Sequence, residues 1–361
     1  MSTARTVRTV ITGLGTAVRG LQGPEGLLGP LPEGHGAAAD PVSRLTGRGL
    51  RYKDRATKLA MAAAQDALRA AGLVDAAGDP TVPGRSTGVV ASTNYGNADT
   101  VCDTVQTIAE STYLGTSPML LPATSSNVVA SWVAITHGLR GANLTLCNGP
   151  TSGLDAVNWA RLLIASGRIQ RALVVGVEPD NAAVRHITEA ESRAPFDGAA
   201  ALVVESAGSA VARGVRPFAE IGPYARRAGH AAAVAAVHKD RPGKPGLWCV
   251  PEHPDGIAAP APSLGVVPTD AAVHDLSALY GPASGALGVL QCVAATVWLA
   301  GRAEAAGTES AGAPAAGVEA AREDMALLTA GTGDAGGDDA SAAMILTAPA
   351  VREAASAGSV R

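Results

Sequence analysis

Aromatic side chains are scarce in this chain: Phe, Tyr and Trp together make up 3% of its 361 residues. The core must therefore be packed from Ala, Val and Leu with backbones lying close together, in keeping with 43 glycines and 23 prolines. Charge is scarce too, at 17% against an ordinary ~25%, which points to surface covered by a partner. Only Lys53, Lys58, Lys239 and Lys244 are lysines among the 28 basic residues, a pattern we read as coding bias rather than an arginine-specific site. The net charge is −4, so no polyanion-binding surface is expected and nucleic acid is not an expected partner. No run of 18 apolar residues occurs, so no membrane span is expected. The opening MSTARTVRTVITGLG lacks an apolar segment with a cleavage site, and a cytoplasmic protein is the expectation. Cys102, Cys147, Cys249 and Cys292 lie far apart with no CxxC pair, so neither a zinc site nor a disulfide framework is expected. No metal or cofactor is expected.

What is present alternates. Short β-branched runs fall at Val7–Thr12, Gly88–Ala91, Ala172–Val177, Ala200–Glu205 and Ala343–Thr347. Between Arg55 and Leu73, apolar positions 56, 59, 60, 63, 67 and 71 follow a helical stripe that Gly72 ends. A second helix is predicted from Ser152 to Ser166, closed by Gly167, and the strand after it, RALVVGVE, is apolar as strands buried on both faces are. This alternation predicts a layered α/β fold. From Ala225 to Ala271 periodicity is weak and loops are expected, with room for a shortened element, and a surface loop is expected over the low-complexity stretch Ala303–Gly317.

The most informative segment is LRGANLTLCNGPTSGLDAVNWARLLIASGRIQRALVVGVE. It reads as a strand (Asn143–Cys147), a tight turn (Asn148-Gly149-Pro150), a helix and a buried strand. A residue at such a turn sits at a helix N-terminus, where N–H groups and the dipole stabilise a thiolate or oxyanion. That is the geometry of a nucleophile site.

These residues resemble the ketosynthases of the thiolase superfamily, most closely the type II polyketide branch. There a glycine and the catalytic cysteine precede Thr-Ser-Gly-Leu-Asp. Here Gly149, Thr151, Ser152, Gly153, Leu154 and Asp155 match, and Pro150 occupies the nucleophile position. Proline carries no nucleophile and is tolerated in the first turn of a helix. RTVITGLG, HGLRG and APFDGAAALVVE extend the resemblance, although a glycine-rich insertion usual after Pro-Phe-Asp is missing. A second motif is matched by SALYGPASGALGVLQ. Ser277 stands for the family's lysine and Pro282 for its histidine, while Gly281, Gly285, Ala286 and Gly288 are kept. The other catalytic histidine aligns with His253 of CVPEHPDG, where Pro254 and Asp255 break the motif. In GTGDAGG, Asp334 stands where a gating phenylalanine is usual.

The resemblance implies a thiolase-like α/β/α/β/α fold of two related halves: residues 1–205, a shortened 206–350, and a tail at 351–361. It also implies the role of the family's inactive copy, the chain length factor or ketosynthase beta subunit. That subunit forms a heterodimer with an active ketosynthase alpha subunit and closes the tunnel into which a polyketide extends, tethered to an acyl carrier protein. Ketosynthase chemistry needs a thiolate and two imidazoles, and the matching positions here are degenerate. The family's gating helix aligns on the stretch after Gly96, and its inward positions fall on Ala98, Val101 and Val105. Their i, i+3, i+7 spacing independently puts them on one helical face. All three are small, which suits a long or slender chain such as a polyene.

Alternatives stay open at this point. Cys147 is expected as a small residue of a buried strand, and otherwise as a displaced nucleophile. Ser152 is expected to cap or pack, and otherwise to serve an acyltransferase. Cys102 is expected in the core or the tunnel lining, and Asp103 facing a polar partner group. Gly13-Leu14-Gly15 reads as a strand-end turn, too weak for dinucleotide binding. A homodimeric scaffold is the third reading.

Overall fold

The computed structural model describes residues 7–189, 193–252, 271–309, 324–331 and 340–349. Its strands are β1 (Thr9–Val18), β2 (Thr87–Ser92), β3 (Asn143–Leu146), β4 (Arg171–Glu178), β5 (Gly198–Ser206), β6 (Ala219–Ala228), β7 (Leu247–Cys249), β8 (Ala272–His274), β9 (Met325–Ala330) and β10 (Ala340–Thr347). The helices are α1 (Arg55–Ala70), α2 (Ala98–Ser111), α3 (Val128–Thr136), α4 (Ser152–Ala165), α5 (Ala182–Ile187), α6 (Ala207–Ala212), α7 (His230–Asp240), α8 (Leu276–Tyr280) and α9 (Leu287–Glu309).

The strand order is β3-β2-β4-β5-β1-β6-β10-β9-β7-β8. Read outward from its centre, this is one five-strand pattern used twice. β2 runs parallel to β3 and β4, as β7 does to β8 and β9, and the remaining pairs in each half are antiparallel. The halves meet over three antiparallel pairs, Thr9–Ile11 against Ala219–Ile221.

Alternation along the strands sorts the core into layers. Leu173, Val175 and Val177 of β4 pack with α1 and α3 on one face. Ala172 and Val174 pack with α4 and α9 on the other, together with Leu328 of β9 and Met344 of β10. Leu327, Ala343 and Ile345 then face α7 on the far side. The result is five layers, α/β/α/β/α, of two related halves. Among the described residues α9 is the helix long and apolar enough to cross a membrane, and most of it is buried. It fills the central layer between the two half-sheets.

Three expectations need correction. Gly13 and Gly15 lie within β1 rather than at its end. A Cβ on either would strike the backbone carbonyl of Ala67 or Ala63 on α1, so close approach of helix to strand requires glycine there. The Ala-rich stretch after Ala225 is not all loop, since α7 packs Ala233, Val234 and Val237 onto its half-sheet and β7 follows. Likewise α9 runs through Ala303 to Glu309, in keeping with alanine's high helix propensity. The rest of both stretches, 253–270 and 310–317, lies outside the described residues.

Candidate functional site: two turns joined by Asn94

The end of β3 delivers the first turn. Gly149 takes φ +85° with open space beside it, and Ser152 N–H donates to Gly149 O at 3.0 Å to start α4. Pro150 is half-buried in this turn, two residues ahead of the helix rather than inside it. The second turn runs from Gly281 to Ala286. There Pro282 is half-buried, and its carbonyl accepts the Phe196 N–H at 2.9 Å.

Asn94, on the segment after β2, joins the two. Its Nδ2 donates to Gly149 O at 3.0 Å and to Ser284 Oγ at 2.8 Å. Its Oδ1 accepts from Gly149 N–H and from Ser152 Oγ, each at 3.2 Å. Ser152 is fully buried; its hydroxyl accepts the Asn148 N–H at 2.8 Å, and its one proton is shared between Asn148 Oδ1 at 2.8 Å and Asn94 Oδ1 at 3.2 Å. Under the turn, Asp155 accepts from Thr151 Oγ1 at 2.9 Å, from Asn148 Nδ2 at 2.5 Å and from the Tyr224 hydroxyl.

Two carboxyl groups hold the second turn. Glu178, the last residue of β4, is 2% exposed and accepts from Asn94 N–H (2.6 Å), Tyr95 N–H, Thr93 Oγ1 and Gly285 N–H (3.1 Å each). Burial pushes it up to about 8, against the pull of those donors. Glu252 Oε2 accepts from Ala283 N–H at 2.6 Å and Ser284 N–H at 2.9 Å, and burial raises it too. Three successive N–H groups, 283 to 285, thus end on carboxyl oxygens. With Ala283 in the αR region and Ser284 at φ +41°, this is the backbone concavity that favours anions.

The retained motif glycines have packing reasons. A Cβ on Gly153 would lie 2.6 Å from Gly288 N, where α4 meets the start of α9. One on Gly285 would lie 2.7 Å from Glu178 Oε1. Ser277 is buried and its hydroxyl has no hydrogen-bond partner. Among the described residues, the hydrogen bonds that join the two turns come from amides, hydroxyls and carboxyls, with no imidazole or thiol among them. His253 and Asp334 lie outside the described residues.

Cys147 is not a core residue. It is exposed at the end of β3, the outermost strand of the sheet, with no further strand paired to that edge among the described residues. Burial of its sulfur and the nearby Glu178 raise its thiol, which disfavours the thiolate. Cys102 is exposed as well, as is Asp103, because α2 buries none of its residues in this chain. Ala98 is half-exposed, and Val101 and Val105 are 37% and 61% exposed. With Ile108, Tyr113, Leu114, Leu120 and Leu121 they form an apolar surface.

Reading the sequence missed Asn94, Glu178 and Glu252. Glu178 alone carried a signal, as a lone acid closing an otherwise apolar buried strand.

Comparisons with known proteins bear on the family and the fold. Residues 26–206 match the family model "Beta-ketoacyl synthase, N-terminal domain". A Streptomyces violaceoruber protein named as a granaticin polyketide beta-ketoacyl synthase 1 is 30% identical over 270 residues. That alignment covers 62% of this chain and 64% of the relative, so the chain spans less than two thirds of that protein. The ishigamide ketosynthase/chain length factor has the same fold, at TM-score 0.72 and 23% identity over 94% of this chain and 99% of that one. So has a type II PKS ketosynthase bound to the hexaketide in complex with its acyl-carrier protein, at TM-score 0.71 and 16% identity over 95% and 100%. From the matched domain and the repeated five-strand halves around α4 and α9, the chain belongs to the beta-ketoacyl synthase family.

Proposed function

We propose that this chain is the non-catalytic chain length factor of a type II polyketide synthase. The observation that supports this is the pair of turns joined by Asn94, at which the motif resemblance aligns Pro150 and Pro282 with the family's nucleophile and imidazole. A condensing enzyme needs a thiolate to hold the acyl chain and imidazoles to stabilise the carbanion formed on decarboxylation. The acyltransferase readings find little support. Ser152 is buried against two amide side chains, with no imidazole or carboxylate among its described hydrogen-bond partners, and burial and Glu178 raise the Cys147 thiol, which disfavours the thiolate.

The rest of the reading concerns partners. The outermost strand β3, unpaired on one side among the described residues, and the apolar face of α2 fit an active, cysteine-bearing ketosynthase, in a heterodimer served by an acyl carrier protein in the cytoplasm. Ala98, Val101 and Val105 then line the far end of the acyl tunnel, and their small size suits a long, slender chain such as a polyene. Residues 1–205 and 206–350 act as the two ketosynthase-like halves. Co-expression with the cognate ketosynthase tests this. A one-to-one heterodimer that condenses malonyl units, with an inert isolated chain, is expected. Acyl transfer by the isolated chain, or a stable homodimer indifferent to the ketosynthase, overturns the proposal.

A further inference from the structure

We infer that Glu178 is the positioning residue of α2, tying the segment that feeds this helix to the turn that carries Pro282. The inference rests on the reading above, in which α2 ends the tunnel. α2 leaves none of its residues fully buried and packs only partly, on α5 and on the turns at 113–115 and 121–124, so the anchor at its N-terminus contributes to its placement. That anchor is the segment 93–95. Ala98 N–H donates to Tyr95 O at 3.0 Å to begin the helix, and Thr93, Asn94 and Tyr95 each donate to Glu178. The fourth donor, Gly285 N–H, belongs to the other turn. A lateral anchor comes from Asn97 Nδ2, which donates to Ala123 O at 3.1 Å. Glu178 is thus a rigid link between β4, the start of α9 and the start of α2.

The donors divide evenly. Asn94 N–H and Gly285 N–H reach Oε1; Tyr95 N–H and Thr93 Oγ1 reach Oε2. A glutamine must therefore place its NH2 against two donors whichever way it is turned. Glu178→Gln loosens the anchor while leaving volume unchanged. The titratable groups nearby are Cys147, beyond β3, and Glu252, on the two N–H groups before Gly285.

The test uses the reconstituted heterodimer with its acyl carrier protein, above pH 8, where Glu178 is ionised. Expected for Glu178→Gln is unchanged total condensation with the share of off-length products raised roughly fivefold, about the loss of one hydrogen bond of restraint. Glu205→Gln removes an equally buried acid that pairs with Arg213, and leaves the length distribution unchanged. If Glu178→Gln does not assemble, Thr93→Val, which deletes one donor at constant shape, is read by the same ratio. Length distributions unchanged in the assembled variant, or total condensation and off-length share altered alike by Glu178→Gln and Glu205→Gln, overturn the inference. Val101→Phe serves as the reference. If it shifts lengths and Glu178→Gln does not, the positioning role falls and the tunnel reading stands; if neither shifts lengths, the tunnel reading falls.

Discussion

Restoring a thiol should not restore chemistry. In Pro150→Cys the new side chain lies just ahead of the 14-residue helix α4. The helix dipole favours a thiolate there by ~0.3–1 kcal/mol, less than one pH unit. Glu178, pushed up to about 8, is mostly protonated at neutral pH and opposes a thiolate there only when it ionises at higher pH. The thiol therefore stays close to its ordinary value, a few per cent ionised at neutral pH. The second deficit is larger. Pro282 offers neither donor nor base, and its carbonyl already serves Phe196. A missing acid-base partner costs ~10²–10⁴ in rate and a missing oxyanion donor ~10²–10³. Together they leave condensation at least ~10⁴-fold below that of a working ketosynthase. In a background with the exposed Cys102 and Cys147 changed to serine, Pro150→Cys should alkylate slowly with iodoacetamide and form no carbon–carbon bond from malonyl thioester. Condensation within about tenfold of a ketosynthase would refute the reasoning, since the thiol alone would then suffice.

Other perturbations read the packing. Gly153→Ala places a Cβ 2.6 Å from Gly288 N and 2.8 Å from its Cα, backbone atoms that cannot step aside. A loss of about 3 kcal/mol or more in urea unfolding is expected. Gly149→Ala meets open space but keeps φ +85°, so it should cost only ~1–2 kcal/mol. His137 is 7% exposed, and burial lowers it to about 4. Its folded value lies below the unfolded one, so its contribution is complete above the ordinary imidazole range and is lost as pH falls toward 4. Its share is about 3 kcal/mol, and His137→Gln should flatten that part of the stability-against-pH curve. An unchanged slope would show that the imidazole is not buried neutral.

The layered fold was legible because periodicity is local. The stripe at 56, 59, 60, 63, 67 and 71 is the buried face of α1, and RALVVGVE is buried along its whole length. The two proline turns were legible as departures from a motif. What escaped was set by tertiary contact. Gly13 and Gly15 look like turn residues until α1 is laid across them. Cys147 looks like a core residue until β3 proves to be an outermost strand. α7 was hidden because Ala and Val surround it on nearly every side in the sequence, leaving no clear stripe. Glu178 and Asn94, 84 positions apart, meet only in the folded chain. No local pattern in either segment announces the bond.

The central claim is that α2 of this chain sets product length in a heterodimer, and Val101→Phe reads it most directly. Val101 is 37% exposed on a helix that buries nothing at home, so the larger ring leaves this chain's own core untouched. In the reconstituted pair the account predicts an intact heterodimer whose products are shorter by at least one two-carbon unit. An intact heterodimer making products of unchanged length would contradict it.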